Sequence, residues 1–135
     1  QVGFEDAMNS PVVTIHASQT PETYHMINEK AFSYIPDGGI LINSARGSLV
    51  DMDALIAELS TGRIRAAIYV FEKEGVAQDE RLLRCPNALL IPHMTGAPAK
   101  SLMTAGIIDS IKTILDGRKA PLEVPFAQYI HMTQE

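Results

Sequence analysis

The sequence predicts an α/β fold built on a mostly parallel sheet of about four strands. Three observations carry that expectation. Four short runs, 11–16 (PVVTIH), 39–43 (GILIN), 66–71 (AAIYVF) and 88–93 (ALLIPH), are nearly continuous in aliphatic residues rather than alternating. That is the pattern of parallel strands covered on both faces. Segments with helical spacing lie between them, and strands alternating with helices at this spacing imply right-handed βαβ crossovers.

The elements follow in order. After the first run, Thr20-Pro21-Glu22-Thr23 opens a turn or short helix, and Glu29 to Tyr34 reads as helix before the Pro36-Asp37-Gly38-Gly39 turn. Beyond the second run, Met52, Leu55, Ile56 and Leu59 recur at i, i+3, i+4 and i+7, which places them on one helix face. Asp51 is positioned as its N-cap and Gly62 as its C′ residue. After the fourth run, Thr104, Ile107, Ile108, Ile111, Ile114 and Leu115 mark a longer helix that stops at Gly117. The expected division is 1–118 as the sheet-bearing portion and 119–135 as an irregular tail containing Pro121 and Pro125.

Composition narrows the function classes. The 135 residues are 46% hydrophobic and 20% charged, enough to bury a core and unlike a disordered chain. A net charge of −5 with no basic stripe argues against nucleic acid. No apolar run reaches the roughly 20 residues that span a bilayer, so no membrane partner is expected. Cys85, the single cysteine, rules out an intrachain disulfide framework; with no evident targeting segment it implies a cytoplasmic location. His16, His25, His93 and His131 have no metal-ligand spacing. The chain starts at Gln1 rather than Met, which leads to the expectation that it begins inside something larger.

Ligands of open parallel sheets bind beyond the carboxyl ends of the strands. Here those ends read His16-Ala17-Ser18-Gln19-Thr20, Asn43-Ser44-Ala45-Arg46-Gly47, Phe71-Glu72-Lys73-Glu74-Gly75 and Pro92-His93-Met94-Thr95-Gly96. Each residue has an ordinary alternative: Arg46 as a surface cation, Glu72 or Glu74 as solvated carboxylates, His93 as a satisfied core histidine. Their convergence on one rim favours chemistry. A guanidinium can clamp a carboxylate through two parallel hydrogen bonds, an imidazole can exchange a proton with a carbonyl oxygen, and a carboxylate can hold that imidazole charged. An anionic carbonyl substrate suits this set, with hydride drawn from a cofactor.

The strings HASQTPET (16–23), GILINSARGSLVD (39–51), ALIAELSTGRI (54–64), VFEKEG (70–75) and LLRCPNALLIPHMTG (82–96) resemble the D-isomer-specific 2-hydroxyacid dehydrogenases, in the same order and nearly the same spacing from about Phe4 to Gly117. The resemblance implies the second half of a Rossmann-like doubly wound sheet, incomplete as a domain. It implies Arg46, Glu74 and His93 as the catalytic set. It also implies a nicotinamide and ribose site lined by His16, Thr20, Ser44, Ala45, Arg46, Tyr69, His93, Thr95 and Gly96. The implied cofactor is NAD, with NADP left open, and the implied substrate a small 2-keto or 2-hydroxy acid.

Departures from the family pattern are local. Tyr69 stands where the family has an Asp that contacts the nicotinamide carboxamide, Gly75 where Pro follows the Glu, and Ser18 where Pro follows the His. Arg46 and Glu74 are about one residue closer in sequence than usual. No Gly-x-Gly occurs anywhere, so the pyrophosphate cradle of the fingerprint is not in this chain. The first strand, central in the family's strand order, becomes an apolar edge, so self-association or pairing with a missing amino-terminal half is expected. An alternative is a truncated or degenerate paralogue that acts as a non-catalytic binding or assembly module; reading-frame sequence upstream of Gln1 discriminates the two.

Overall fold

The computed structural model describes residues 2–73, 80–91, 93, 100–120, 124–129 and 132. It divides into two compact units, one formed by residues 1–93 with 133–135 and one by 94–132. In the first unit the order is α1 (Phe4–Met8), β1 (Val12–Ile15), α2 (Glu29–Tyr34), β2 (Ile40–Asn43), a 3-10 turn (Gly47–Leu49), α3 (Met52–Ser60), β3 (Arg65–Ile68), α4 (Glu80–Leu83) and β4 (Ala88–Leu90). All strand pairs are parallel and the sheet order is β1-β2-β3-β4. The α/β class and the four-stranded parallel sheet are therefore as the sequence implies, and β1 lies at an edge.

Local chemistry accounts for the helices. The Asp51 side chain accepts a hydrogen bond from the Ala54 N–H, and the Asn28 side chain does the same for Ala31 at the start of α2. Each satisfies a donor that the first helical turn leaves unpaired. Leu55, Ile56 and Leu59 of α3 are buried, as their spacing requires. Gly62 and Gly38 take φ of 74° and 79°, left-handed values that glycine adopts without steric cost, and they end α3 and complete the turn before β2.

The strands are shorter than the apolar runs. The third run was expected to extend to Phe71 and the fourth to His93, but β3 ends at Ile68 and β4 at Leu90. Val70 is nonetheless buried. Apolarity marks burial, and burial continues past the last ladder position.

A larger difference concerns the faces of the sheet. The registered rows Val13–Leu41–Ala66–Ala88 and Ile15–Asn43–Ile68–Leu90 face one way. Their apolar members belong to, or pack on, one core cluster with Phe32, Ile35, Leu49, Leu55, Leu59 and Leu82. On the opposite face Val12 is 53% exposed and Leu89 61%, with Ile40, Ile42 and Ala67 half-buried. Two-sided apolarity is present in the strands; among the described residues one face is buried in the core cluster and the other ranges from half-buried to exposed.

Two polar fasteners lock the covered side. The Arg63 guanidinium donates to the carbonyls of Phe32 and Ile35 and pairs with Glu58 at 2.8 Å, joining the end of α2 to the α3–β3 turn. Asn87 Nδ2 donates to the carbonyls of Leu59 and Ile64, tying the start of β4 to the two ends of that turn. Helix α1, not expected from sequence, is fastened by the Tyr34 hydroxyl, which donates to Glu5 at 2.6 Å.

The second unit contains α5 (Lys100–Leu115) and α6 (Phe126–Tyr129). Helix α5 is followed by Gly117 at φ 72°, in agreement with the expected stop. Its Ile107, Ile108, Ile111, Ile114 and Leu115 are exposed. The one-turn α6 lies in the stretch expected to be irregular.

Candidate functional site

Register brings the carboxyl ends of the four strands to one rim. Ile15, Asn43, Ile68 and Leu90 are the last aligned row of the sheet. The next residues along the four strands are His16, Ser44, Tyr69 and Ile91. The Tyr69 N–H donates to the Asn43 carbonyl at 3.0 Å and the Ile91 N–H to the Ile68 carbonyl at 2.9 Å, so these backbones leave the sheet in step.

The Arg46 turn is built by a buried asparagine. Asn43 is 1% exposed; its Oδ1 accepts from the Ala45 N–H at 3.1 Å and its Nδ2 donates to the Arg46 carbonyl at 2.9 Å. Such an Asx arrangement folds Ser44-Ala45-Arg46 back over the end of β2. The Arg46 guanidinium is exposed, and its Nη1 donates to the Ala45 carbonyl at 2.8 Å. Among the described residues it has no carboxylate partner, which leaves its fork open to an anion.

Gly47 sets the next constraint. A Cβ there would lie 2.1 Å from the Phe71 carbonyl carbon and 2.2 Å from the Glu72 nitrogen. The Arg46–Gly47 turn is thus pressed directly on the peptide that leaves β3, and only glycine permits that approach.

Just past β1, His16 is exposed and its Nε2 lies 3.1 Å from the Thr14 hydroxyl. The Thr20 N–H donates to the Thr23 hydroxyl at 2.8 Å, and that hydroxyl donates to the Ser18 carbonyl at 2.7 Å, which closes the 18–23 turn. His93 is exposed rather than a core histidine, and its ring meets the Tyr69 ring edge-to-face at 5.2 Å and 70°. Glu74, Thr95 and Gly96 lie outside the described residues.

Sequence reasoning missed a cluster beside this rim. Tyr24 Oη donates to Glu72 Oε1 at 3.1 Å, His25 Nε2 lies 3.5 Å from Glu72 Oε2, and His25 Nδ1 lies 3.9 Å from Asp51 Oδ2. The Tyr24 and His25 rings stack at 3.9 Å. The Glu72 hydrogen bond is the first cause that holds the Tyr24 phenol above its ordinary ionisation range. His25 itself has φ 49°, an uncommon value for a residue with a Cβ. No spacing rule pairs residues 24 and 25 with 72, so the only sequence signal was the presence of ionisable groups.

A parallel sheet with crossover helices and polar residues at its carboxyl ends is the architecture of a Rossmann-like nucleotide-binding domain. The chain belongs to the D-isomer specific 2-hydroxyacid dehydrogenase, NAD binding domain family, whose model matches residues 2–95. It is 35% identical over 101 residues to D-3-phosphoglycerate dehydrogenase of Archaeoglobus fulgidus, covering 74% of this chain and 19% of that protein. It is 36% identical over 115 residues to glyoxylate reductase of Thermofilum pendens, covering 83% and 34%. Among solved structures it resembles a D-isomer specific 2-hydroxyacid dehydrogenase from Xanthobacter autotrophicus Py2 in complex with NADPH and MES, with a TM-score of 0.77, 31% identity and coverage of 90% of this chain and 51% of that one. The chain spans about a fifth to a third of the length of these two curated relatives.

The rim chemistry fits one end of a dinucleotide. The hydroxyls of Ser44, Thr20 and Tyr69 and the rings of His16 and His93 suit a polar aromatic amide and a ribose. A pyrophosphate needs the N-terminal N–H groups of a helix after a glycine-rich turn, and no Gly-x-Gly occurs in the chain.

Proposed function

We infer that this chain supplies the catalytic rim and the nicotinamide-side half of the cofactor site of an NAD-dependent oxidoreductase that interconverts a small D-2-hydroxy acid and its 2-keto acid. What supports the reading is that Arg46, Tyr69 and His93 follow the ends of three adjacent parallel strands, β2, β3 and β4. By itself the chain is expected to be inactive, because the pyrophosphate cradle and the rest of the substrate cleft must come from elsewhere.

In this reading Arg46 clamps the substrate carboxylate through two parallel N–H···O bonds and so fixes the carbonyl beside it. His93 donates a proton to the carbonyl oxygen during reduction and takes it back during oxidation. Glu74 keeps the imidazole oriented and stabilises its charged form. NAD, when bound, supplies or accepts the hydride at the carbonyl carbon. His16, Thr20, Ser44, Ala45, Thr95 and Gly96 hold the nicotinamide and ribose. Tyr69 offers a phenol in place of the family's carboxylate, so it can accept or donate one hydrogen bond but brings no charge.

A non-catalytic binding or assembly role is the second reading, favoured by Tyr69 and by the exposed Val12 and Leu89 on the second sheet face. Joining the chain to the first half of a relative's nucleotide domain and to its substrate domain separates the two. Turnover of glyoxylate or hydroxypyruvate with NADH supports the enzyme; a folded, NADH-binding product with no turnover supports the second reading.

A further inference from the structure

The geometry points to His25, with Tyr24 beside it, as a positioning residue: the pair clamps the Glu72 carboxylate and thereby fixes the backbone of Phe71–Lys73, the segment that leads into Glu74. Its importance for catalysis rests on the reading of Glu74 given above; the clamp itself stands on the structure.

Three segments meet at this point. The His25 N–H donates to the Ser48 carbonyl at 2.8 Å, which joins the 24–25 turn to the 3-10 turn that follows Arg46. Gly47 of that same turn packs on the Phe71–Glu72 peptide with no room for a Cβ. Glu72 then reaches back, with one carboxylate oxygen on the Tyr24 hydroxyl at 3.1 Å and the other 3.5 Å from His25 Nε2. The closed circuit links the backbone that carries Arg46 to the backbone that precedes Glu74. Among the described residues, Tyr24 and His25 are the groups that meet the Glu72 carboxylate.

The His25 ring is placed to reach Glu72. Its backbone stands at φ 49°, a left-handed value that His adopts more readily than most residues with a Cβ. Its Nε2 is buried, lacks a hydrogen bond of good geometry, and faces Glu72. Among the described residues the titratable groups facing the ring are Glu72 from the loop after β3, Asp51 at the start of α3, and Tyr24 in the same turn. Protonation places a charged N–H toward each of the two carboxylates; deprotonation leaves at most one N–H to share between them. The clamp is therefore tightest when His25 is charged.

The test uses the 135-residue chain, 15N-labelled, with NMR as the readout. In the unsubstituted chain the Glu72 and Lys73 amides move together with the His25 ring signals as pH is varied. Their order parameters stand near about 0.85 at low pH. His25→Asn keeps a residue that tolerates left-handed backbone and removes the imidazole. It abolishes the pH response and lowers the order of Phe71–Lys73 toward about 0.6. Amides at 72 and 73 that ignore His25 titration, or loop order unchanged in His25→Asn, overturn the clamp. Should His25→Asn fail to fold, Glu72→Gln alters only an exposed side chain: Tyr24 ionisation then moves down toward its ordinary range, and an unmoved Tyr24 overturns the proposal. In a catalytically complete chain containing this segment, His25→Asn lowers kcat about tenfold with KM for NADH unchanged; unchanged kcat overturns the positioning role. Glu74→Gln in that chain tests the other reading separately. Full turnover there, with the amide signals of the clamp intact, removes the assignment of Glu74 and leaves the clamp standing.

Discussion

Replacing Gly47 by Ala inserts a methyl group at the point where two functional backbones touch. The added Cβ would sit 2.1 Å from the Phe71 carbonyl carbon, 2.2 Å from the Glu72 nitrogen and 2.4 Å from the Phe71 oxygen. All three are backbone atoms, so no side chain can rotate away and the turn and loop must separate by about an ångström. Overpacking of this kind costs about 1–3 kcal/mol, and displacement of main chain puts this case at the upper end, about 3 kcal/mol. Unfolding entropy near 2.1 cal/mol/K per residue gives about 0.28 kcal/mol/K for a chain of this length, so Tm falls by about 10 °C. Gly62→Ala is the internal control, because its new Cβ meets nothing within 4 Å and the only cost is φ 74°. That strain is worth about 1–2 kcal/mol, hence about 4–7 °C. Thermal unfolding followed by circular dichroism measures both. Equal Tm losses in the two variants, or a Gly47→Ala loss below about 3 °C, refute the close approach of the Arg46 turn to the β3 exit.

Other outcomes follow from the same structure. Leu55→Ala, which empties a fully buried site beneath α3, costs about 2–5 kcal/mol by denaturant unfolding. Asp51→Ala removes the α3 cap and costs about 1 kcal/mol, whereas Asp51→Asn keeps a capping oxygen and loses only a few tenths. The neutral Tyr24 phenol is favoured in the fold, so its contribution is complete below its ordinary value of 10.0 and is lost as pH rises through the higher folded value. For Glu22 the charged form is favoured, chiefly by the Thr20 side-chain hydrogen bond, so its contribution is present above 4.5 and lost as pH falls through the lower folded value. NMR titration of the two side chains checks both signs. Sedimentation at micromolar concentration detects self-association through the β1 edge, and a monodisperse monomer contradicts that expectation.

What was legible in the sequence was local or periodic. Helix α3 was readable because its apolar spacing, its Asp51 cap and its Gly62 stop agree with one another. The four strands were readable from aliphatic runs, although a run such as 66–71 reports burial and so extended beyond the ladder. Helix α1 was not readable: it has five residues and no side-chain cap, and it is fastened by Tyr34, which lies 29 positions from Glu5. The Arg46 turn was found through its residue types, while Asn43, which builds it, passed as part of a strand. The Tyr24–His25–Glu72 cluster escaped because a contact across 48 positions leaves no trace in spacing.

In the proposed function Arg46 and His93 do the chemistry of a 2-keto acid at this rim. The most direct measurement is steady-state reduction of a 2-keto acid by NADH in a catalytically complete chain containing this segment, with Arg46→Ala and His93→Gln compared with the unsubstituted form. Loss of the proton donor or of the carboxylate clamp is predicted to lower kcat/KM by about two to four orders of magnitude, with NADH still bound. Turnover within about threefold of the unsubstituted chain in either variant contradicts the account.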